Sequence, residues 1–269
     1  VTHAAVDQTR QADFPEEIDF DVKNLSGNER TERQQDKLHA ATLFAQGRMQ
    51  YRRRNFEQSL KYFQRAWRYD RSVVSITNEL IPLAINLKRD TVAAQYAELA
   101  LETGNLDPQA LGRIAVLLTN NQRYDGAIEA YQTLLASKPK NRIDDSFVAI
   151  HVEIARISLL SGNAEMAANS HDIVRYTLEH RDQNLVSAAT SKRLQGQGGV
   201  LYQMMIESYL QTKQYKKAQT AFDKLNTLYP QEVMNPLHLA KILTAQELFD
   251  EATAQLLGLN RFNDFEMEE

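Results

Sequence analysis

The sequence has 269 residues, of which 43% are hydrophobic and 25% are charged, and its formal net charge is −4. This composition is ordinary for a globular protein, and the net charge gives no general attraction to nucleic acid or anionic membrane. No apolar run in the sequence approaches the roughly 18 residues of a membrane-spanning helix. The absence of cysteine excludes disulfides, thiolate metal sites and cysteine nucleophiles, and it fits an exported, periplasmic or cytoplasmic protein.

Residues 1–36 show no sustained helical period and carry nine acidic against four basic side chains. This composition favours a mobile acidic tail. The alternative for residues 14–22 is an extended segment that docks on this protein or on a partner, because the alternation from Ile18 to Val22 is typical of extended structure. Since the sequence begins with Val1, we expect that an earlier segment was removed, and no targeting signal is assigned.

From about residue 40 the pattern becomes helical. Ten glycines and six prolines are too few for a fold of many short strands. Four segments, starting at residues 55, 123, 214 and 248, share an order of aromatic, small and large apolar positions at intervals of three and four, which keeps them on one helical face. In order, these positions are Phe56, Ser59, Phe63 and Ala66; Tyr124, Ala127, Tyr131 and Leu134; Tyr215, Ala218, Phe222 and Leu225; and Phe249, Ala252, Leu256 and Leu259.

The clearest unit combines Leu111, Ala115, Tyr124, Tyr131 and Pro139, and with Ala127 it resembles the tetratricopeptide repeat. That family has a helix–turn–helix unit of about 34 residues. The resemblance implies an all-α fold, a right-handed α-α superhelix of about six helix–turn–helix repeats, over residues 37–269. The repeats are expected at about 40–73, 74–107, 108–141, 148–181, 199–232 and 233–266, with an insertion at 182–198.

Three local features can be predicted within the repeat array. Pro82 falls inside the first helix of the second unit and cannot donate a hydrogen bond to the Asn78 carbonyl, so a kink or local unwinding is expected. The insertion at 182–198 is expected to hold an extra helical turn or to extend the helix that follows. Asp144 or Asp145 is expected to cap the next helix.

A single helix pair buries too little apolar surface to fold alone, so repeats must stack. The resemblance implies that the first helix of each unit lines a concave groove that binds a peptide or partner protein. The resemblance, mapped onto this chain by helical phase, implies that the residues facing this groove are Phe44, Arg48, Tyr51, Arg52, Asn78, Glu79, Gln109, Arg113, Asn120, Glu153, Arg156, Gln203 and Glu207, followed by Gln211, His238 and Lys241.

The first half of this predicted groove is rich in arginine and amide side chains. Arginine can bind carboxylates with two parallel hydrogen bonds, so we expect an acidic or extended peptide as the partner. The alternative for the run Tyr51–Arg54 is a solvated loop between helices.

The sequence therefore predicts a non-enzymatic scaffold or adaptor without a cofactor. The six histidines show no metal-binding spacing, and no catalytic set can be ordered. Two alternatives remain: a structural subunit of a larger assembly, which the apolar Phe262, Phe265 and Met267 near the last residues favour, and a self-occluded adaptor with residues 14–22 in the groove.

Overall fold

The computed structural model describes residues 31–104, 106, 108–138, 143–230 and 235–265. These residues form α-helices and one short 3-10 helix, with no strand among them, and no described helix is long and apolar enough to cross a membrane. The helices are α1 (Glu32–Arg52), α2 (Phe56–Tyr69), α3 (Val74–Asn86), α4 (Asp90–Glu102), α5 (Pro108–Asn120), α6 (Tyr124–Ala136), α7 (Asp145–Leu160), α8 (Ala164–Glu179), the 3-10 helix (Arg181–Gln183), α9 (Ala188–Gly196), α10 (Gly198–Gln211), α11 (Tyr215–Leu228), α12 (Asn235–Ala245) and α13 (Phe249–Phe265).

Twelve of these helices form six pairs, α1–α2, α3–α4, α5–α6, α7–α8, α10–α11 and α12–α13, and each pair packs on the next. The predicted all-α superhelix of helix–turn–helix repeats is confirmed. Helix α9 lies between the fourth and fifth pairs and contacts α8 and α10. The predicted insertion thus holds a separate helix.

The turn inside every pair has the same backbone geometry. In each turn one residue has a positive φ, and the amide of the next residue donates a hydrogen bond to the carbonyl five residues before it, which closes the end of the first helix. The six residues with positive φ are Arg54, Lys88, Gln122, Gly162, Lys213 and Glu247. Only one of them is glycine, although this region of φ is unfavourable for the other residue types.

Small residues let the paired helices approach closely. A Cβ atom added to Gly47 would lie 2.6 Å from the ring of Phe63, and the Ser59 hydroxyl donates a 2.8 Å hydrogen bond to the Gly47 carbonyl. Ala115 and Ala127 are completely buried in the third pair. The predicted small positions are therefore where the two helices of a pair meet.

The buried apolar residues divide into two clusters. The first joins pairs one to three and ends on Ile150, Ile154 and Ile157 of α7. The second begins at Val148 of the same helix and continues through α8 to α12. Helix α7 therefore links two hydrophobic cores, which we call the N-terminal core and the C-terminal core.

The helix starts refine the predicted boundaries. Thr31 forms a capping box with Gln34, and α1 begins at Glu32, so residues 32–36, which the sequence assigns to the tail, are helical. Asp144 caps α7 by accepting a 2.7 Å hydrogen bond from the Phe147 amide, as predicted. Helix α3 stays helical through Pro82, which excludes local unwinding there; the kink, the other expectation at Pro82, stays a prediction.

Candidate partner-binding face

The first helices of the six pairs, α1, α3, α5, α7, α10 and α12, carry all the predicted groove residues, and we call their shared surface the first-helix face. At its N-terminal end Arg48 of α1 lies 3.9 Å from Glu79 of α3. Both side chains remain partly exposed. Successive first helices thus contact each other through residues predicted to face the groove.

A crevice of about 320 Å³ lies between α3 and α5. Its buried wall is apolar and includes Ile81, Ile114 and Leu117. The wall is completed by Thr77, Leu106 and Ala110, and the exposed residues that line it are Asn78, Pro82, Ile85, Asn86 and Arg113. The structure therefore brings the predicted Asn78 and Arg113 together beside an apolar cavity.

The polar side chains of this crevice offer hydrogen-bond donors and acceptors beside the apolar wall. Asn78 and Asn86 each have an amide that donates and accepts hydrogen bonds, and the Arg113 guanidinium is exposed. Pro82 has no amide hydrogen to donate to the Asn78 carbonyl, so this carbonyl lacks its usual helical donor. The crevice thus combines apolar contact, a cation and backbone-like hydrogen-bonding groups.

At the other end of the face, between α10 and α12, the charged residues bind one another. Lys241 donates a 3.0 Å hydrogen bond to Glu207, and Gln211 donates one of 2.9 Å to the same carboxylate. The Gln211 hydrogen bond, followed by that of Lys241, holds the pKa of Glu207 below its usual value. These three residues also line a more open crevice of about 440 Å³ with Leu210, Leu237 and Leu256.

In the middle of the face, α7 carries an internal ion pair. The Arg156 guanidinium donates to Glu153 at 2.6 Å within one helical turn. Burial, and then the charge of Glu153, raise the pKa of Tyr131 on the preceding helix, α6. Arg156 therefore already has a carboxylate partner.

Other predicted groove residues lie at different depths. Phe44 is half-buried and packs on Phe63 with the ring centroids 5.4 Å apart, so it belongs largely to the N-terminal core. Tyr51 contacts Phe56 edge to face at 5.3 Å, and Arg52 is the exposed last residue of α1. Further exposed positions are Gln109 and Asn120 on α5, and Gln203 on α10 is half-buried.

Sequence reasoning missed two features. The first is the crevice between α3 and α5. The spacing of Ile81 and Ile85 on α3 shows that they share a helical face, but the sequence does not show whether this face borders an open crevice or is packed in the core. The second feature is a polar cluster around Asp172 of α8, which accepts hydrogen bonds from the Tyr209 hydroxyl at 2.8 Å and from Lys217 at 2.6 Å. It joins the fourth and fifth pairs across the insertion.

The residue segment 196–199, which lacks the features of a phosphate-binding loop, has a packing role. A Cβ atom on Gly198 would lie 2.0 Å from the Tyr229 hydroxyl oxygen, and that hydroxyl donates a 2.7 Å hydrogen bond to the Gln195 carbonyl. Within the described parts of the chain, no group of three or more His, Asp or Glu side chains has a metal-binding arrangement. Residues 14–22, expected as a groove ligand in one alternative, lie outside the described residues, as do the side chains of Phe262, Phe265 and Met267.

Comparison with known protein families gives matches to tetratricopeptide-repeat sequence profiles at residues 44–108, 92–142 and 200–232. No curated protein matches the sequence. Similar solved structures include MamA residues 41-end from Desulfovibrio magneticus RS-1, with 13% identity, TM-score 0.45, and coverage of 71% of this chain and 95% of that one. BtubC from P. vanneervenii has 18% identity and TM-score 0.45, and the match covers 80% of this chain and 91% of that one. Pseudomonas aeruginosa pilF has 15% identity and TM-score 0.39, and the match covers 89% of this chain and 100% of that one.

Proposed function

The chain belongs to the tetratricopeptide-repeat family, and from this premise we propose that it is a non-enzymatic adaptor that binds an extended segment of another protein on its first-helix face. Proteins of this fold are in general interaction scaffolds and not catalysts. The geometry of the first-helix face supports its role as the binding surface of this chain.

The main support for the proposal is the crevice between α3 and α5. It opens on the first-helix face, and its lining combines buried isoleucine and leucine side chains with exposed amide and guanidinium groups. A ligand pocket of about 300 Å³ or more, with a mostly apolar wall and a few polar groups, is typical of recognition sites. An extended peptide can fill such a groove with side chains while its backbone binds to amides.

A charge-reversal experiment tests the proposal. Arg48, Arg52 and Arg113 are changed to Glu together, and proteins retained by the purified chain from a native extract are compared with those retained by the wild type. We expect the principal partners to be lost. The matched control reverses Lys61, Arg65 and Arg68 on α2, which changes the net charge equally but lies on a second helix; it should retain them. An unchanged partner set for the first variant would remove the first-helix face from the proposal.

A second candidate function, a structural subunit of a larger assembly, is favoured by the surface of the last pair. Leu248 and Phe249 are exposed at the start of α13, and Leu257 follows two turns later on the same helix. Exposed large apolar residues that are close together on one element are typical of protein interfaces. Sedimentation of the isolated chain tests association through this surface: concentration-dependent assembly that Phe249→Ser abolishes supports it, and a monomer at all concentrations contradicts it.

A further inference from the structure

We infer that the crevice between α3 and α5 recognises a two-residue signature, an apolar side chain and a carboxylate separated by one residue in an extended segment of a partner protein. This inference rests on the proposed binding function of the first-helix face and names the chemistry of its ligand.

The apolar half of the signature follows from the crevice wall. Ile81, Ile114 and Leu117 are at most 8% exposed, and they form the wall of a cavity of about 320 Å³. Ile85 lines the same cavity and is 41% exposed. Covering this apolar surface with a leucine-sized side chain removes it from water, which is favourable in proportion to the area buried.

The acidic half follows from the charges on the face. Arg48, Arg156 and Lys241 each have a carboxylate within 4.0 Å, supplied by Glu79, Glu153 and Glu207. Arg113 forms no ion pair with any residue in the described part of the chain. Its exposed guanidinium beside the apolar wall is therefore the cation of this crevice that a ligand carboxylate can bind with two parallel hydrogen bonds.

The spacing of the signature follows from helix and strand geometry. Arg113 and Leu117 are four residues apart on α5, which corresponds to about 6 Å along the helix axis. In an extended chain, side chains on the same side recur every two residues, at about 6.6–6.8 Å. A peptide that runs along α5 therefore places an acidic residue on Arg113 and the apolar residue two positions away against Leu117.

The backbone of such a peptide also has partners in the crevice. An extended segment presents unpaired amide and carbonyl groups, which lose their water when the peptide binds. The side-chain amides of Asn78 and Asn86 can both donate and accept hydrogen bonds. These groups favour an extended backbone and do not depend on the ligand sequence.

Fluorescence anisotropy with labelled peptides tests the inference on the full chain. The probes are Gly-Ser-Leu-Ser-Asp-Ser-Gly and the same peptide with Leu and Asp exchanged, because the spacing does not fix the chain direction. We expect saturable binding of at least one of them. Replacing its Leu by Ser, replacing its Asp by Asn, or making Leu and Asp adjacent should each weaken binding at least tenfold.

Protein variants then assign the binding to the crevice. Arg113→Glu and Ile85→Asp should each weaken binding at least tenfold, whereas Val116→Asp, on an exposed part of α5 that does not line the crevice, should leave it unchanged. Arg113→Glu should regain affinity for the peptide in which Lys replaces Asp, which a general loss of folding cannot produce. Circular dichroism of each variant verifies the helical fold.

Three outcomes would overturn the inference: binding of neither peptide, equal binding of the adjacent and spaced peptides, or equal effects of Ile85→Asp and Val116→Asp. A fourth outcome, binding that appears only after residues 1–30 are deleted, would assign the crevice to this chain's own N-terminal segment and would likewise overturn the inference. If the peptides fail while reversal of Arg48, Arg52 and Arg113 still changes the partner set, the proposed function stands and only the ligand signature is wrong.

Discussion

Two parts of the first-helix face are built alike but use their charged residues differently. Between α3 and α5, Arg113 lies beside an apolar crevice without an ion pair to a described residue. Between α10 and α12, Lys241 and Glu207 bind each other across the corresponding position. The same repeat geometry therefore leaves one cation without an ion pair among the described residues and pairs the other with a carboxylate.

The two hydrophobic cores also differ in how far they include polar side chains. In the N-terminal core the second pair contributes alanines, including Ala93, Ala94 and Ala97, which are fully buried. In the C-terminal core the joint between the fourth and fifth pairs contains His171, whose ring nitrogen lies 2.8 Å from the Ser208 hydroxyl, beside the Asp172 cluster. Stability should therefore depend on apolar packing at one end and on buried polar contacts at the other.

The largest expected effect breaks the N-terminal core. Phe63 is fully buried against Gly47, so Phe63→Ala should lower the free energy of unfolding by about 3–5 kcal/mol, because it removes apolar contact and leaves a cavity. Urea unfolding followed by the fluorescence of Trp67, which lies in the same core, measures it. Phe56→Ala is the control, since Phe56 is 37% exposed, and a comparable loss there would contradict the packing account.

The next effect concerns pH and the C-terminal core. Burial lowers the pKa of His171 from 6.5 to about 4, and the only opposing effect, from Asp172, is smaller. The unfolded chain therefore binds the proton first as pH falls, so stability contributed by the neutral ring is complete above pH 6.5 and is lost towards pH 4. The upper limit is 2.5 pKa units multiplied by about 1.36 kcal/mol, or about 3 kcal/mol.

Urea unfolding between pH 7 and pH 4.5, followed by circular dichroism, tests this dependence. The decrease in unfolding free energy should be smaller in His171→Gln than in the wild type. Burial also lowers the pKa of His151, so His151→Gln is the matched variant. It should change the slope of unfolding free energy against pH less, because the pKa of His171 is lowered more. Identical slopes in the wild type and His171→Gln would show that this joint does not sense pH.

A smaller effect measures the stability contributed by the hydrogen bond to Asp172 separately from that of the buried ring of Tyr209. Tyr209→Phe keeps the buried ring but removes the 2.8 Å hydrogen bond to Asp172, and a hydrogen bond to a charged group contributes about 1.5–3 kcal/mol. Because Asp172 is partly exposed and keeps Lys217 as a partner, we expect a loss of about 1–2 kcal/mol in chemical unfolding. Tyr69→Phe, at an exposed position, is the control, and equal stability of Tyr209→Phe and the wild type would refute a stabilising role for the cluster.

The smallest expected effect compares equivalent turns in the two halves. Gly162 has φ +80° and no atom within 4 Å of an added Cβ, so Gly162→Ala should cost about 1 kcal/mol through backbone strain alone. Gln122 has φ 59° in the preceding pair, and Gln122→Gly should change stability in the opposite direction by about 0.5–1 kcal/mol. Thermal unfolding of both variants checks the signs, and a stabilising Gly162→Ala would contradict the assigned backbone conformation.

The sequence predicted the fold because the repeat depends on local spacing. Intervals of three and four residues place Phe63 and Ala66 on one helical face, and small residues such as Gly47 mark where helices cross. The location of the α1 start was less accessible, because the polar residues 32–36 resemble the preceding tail in composition and only the Thr31–Gln34 capping box distinguishes them.

The candidate site was predictable only in part. Helical phase assigns Asn78 and Arg113 to the first-helix face, but it gives no information about which residues on neighbouring helices are close enough to bind each other. The pairs Arg48–Glu79 and Glu207–Lys241 are separated by 31 and 34 residues, respectively. Whether a cation is paired or available therefore depends on repeat stacking, which a single sequence does not specify.

Site-specific photocrosslinking tests most directly whether the first-helix face binds a protein. Benzoylphenylalanine is incorporated at position 85 of α3, which lines the crevice, or at position 116 of α5, which does not line it. The full chain is then irradiated in native extract. We predict a discrete protein adduct from position 85 that Arg113→Glu abolishes, and no such adduct from position 116. Equal adducts from both positions, or an adduct from position 85 that Arg113→Glu leaves unchanged, would contradict the proposed binding surface.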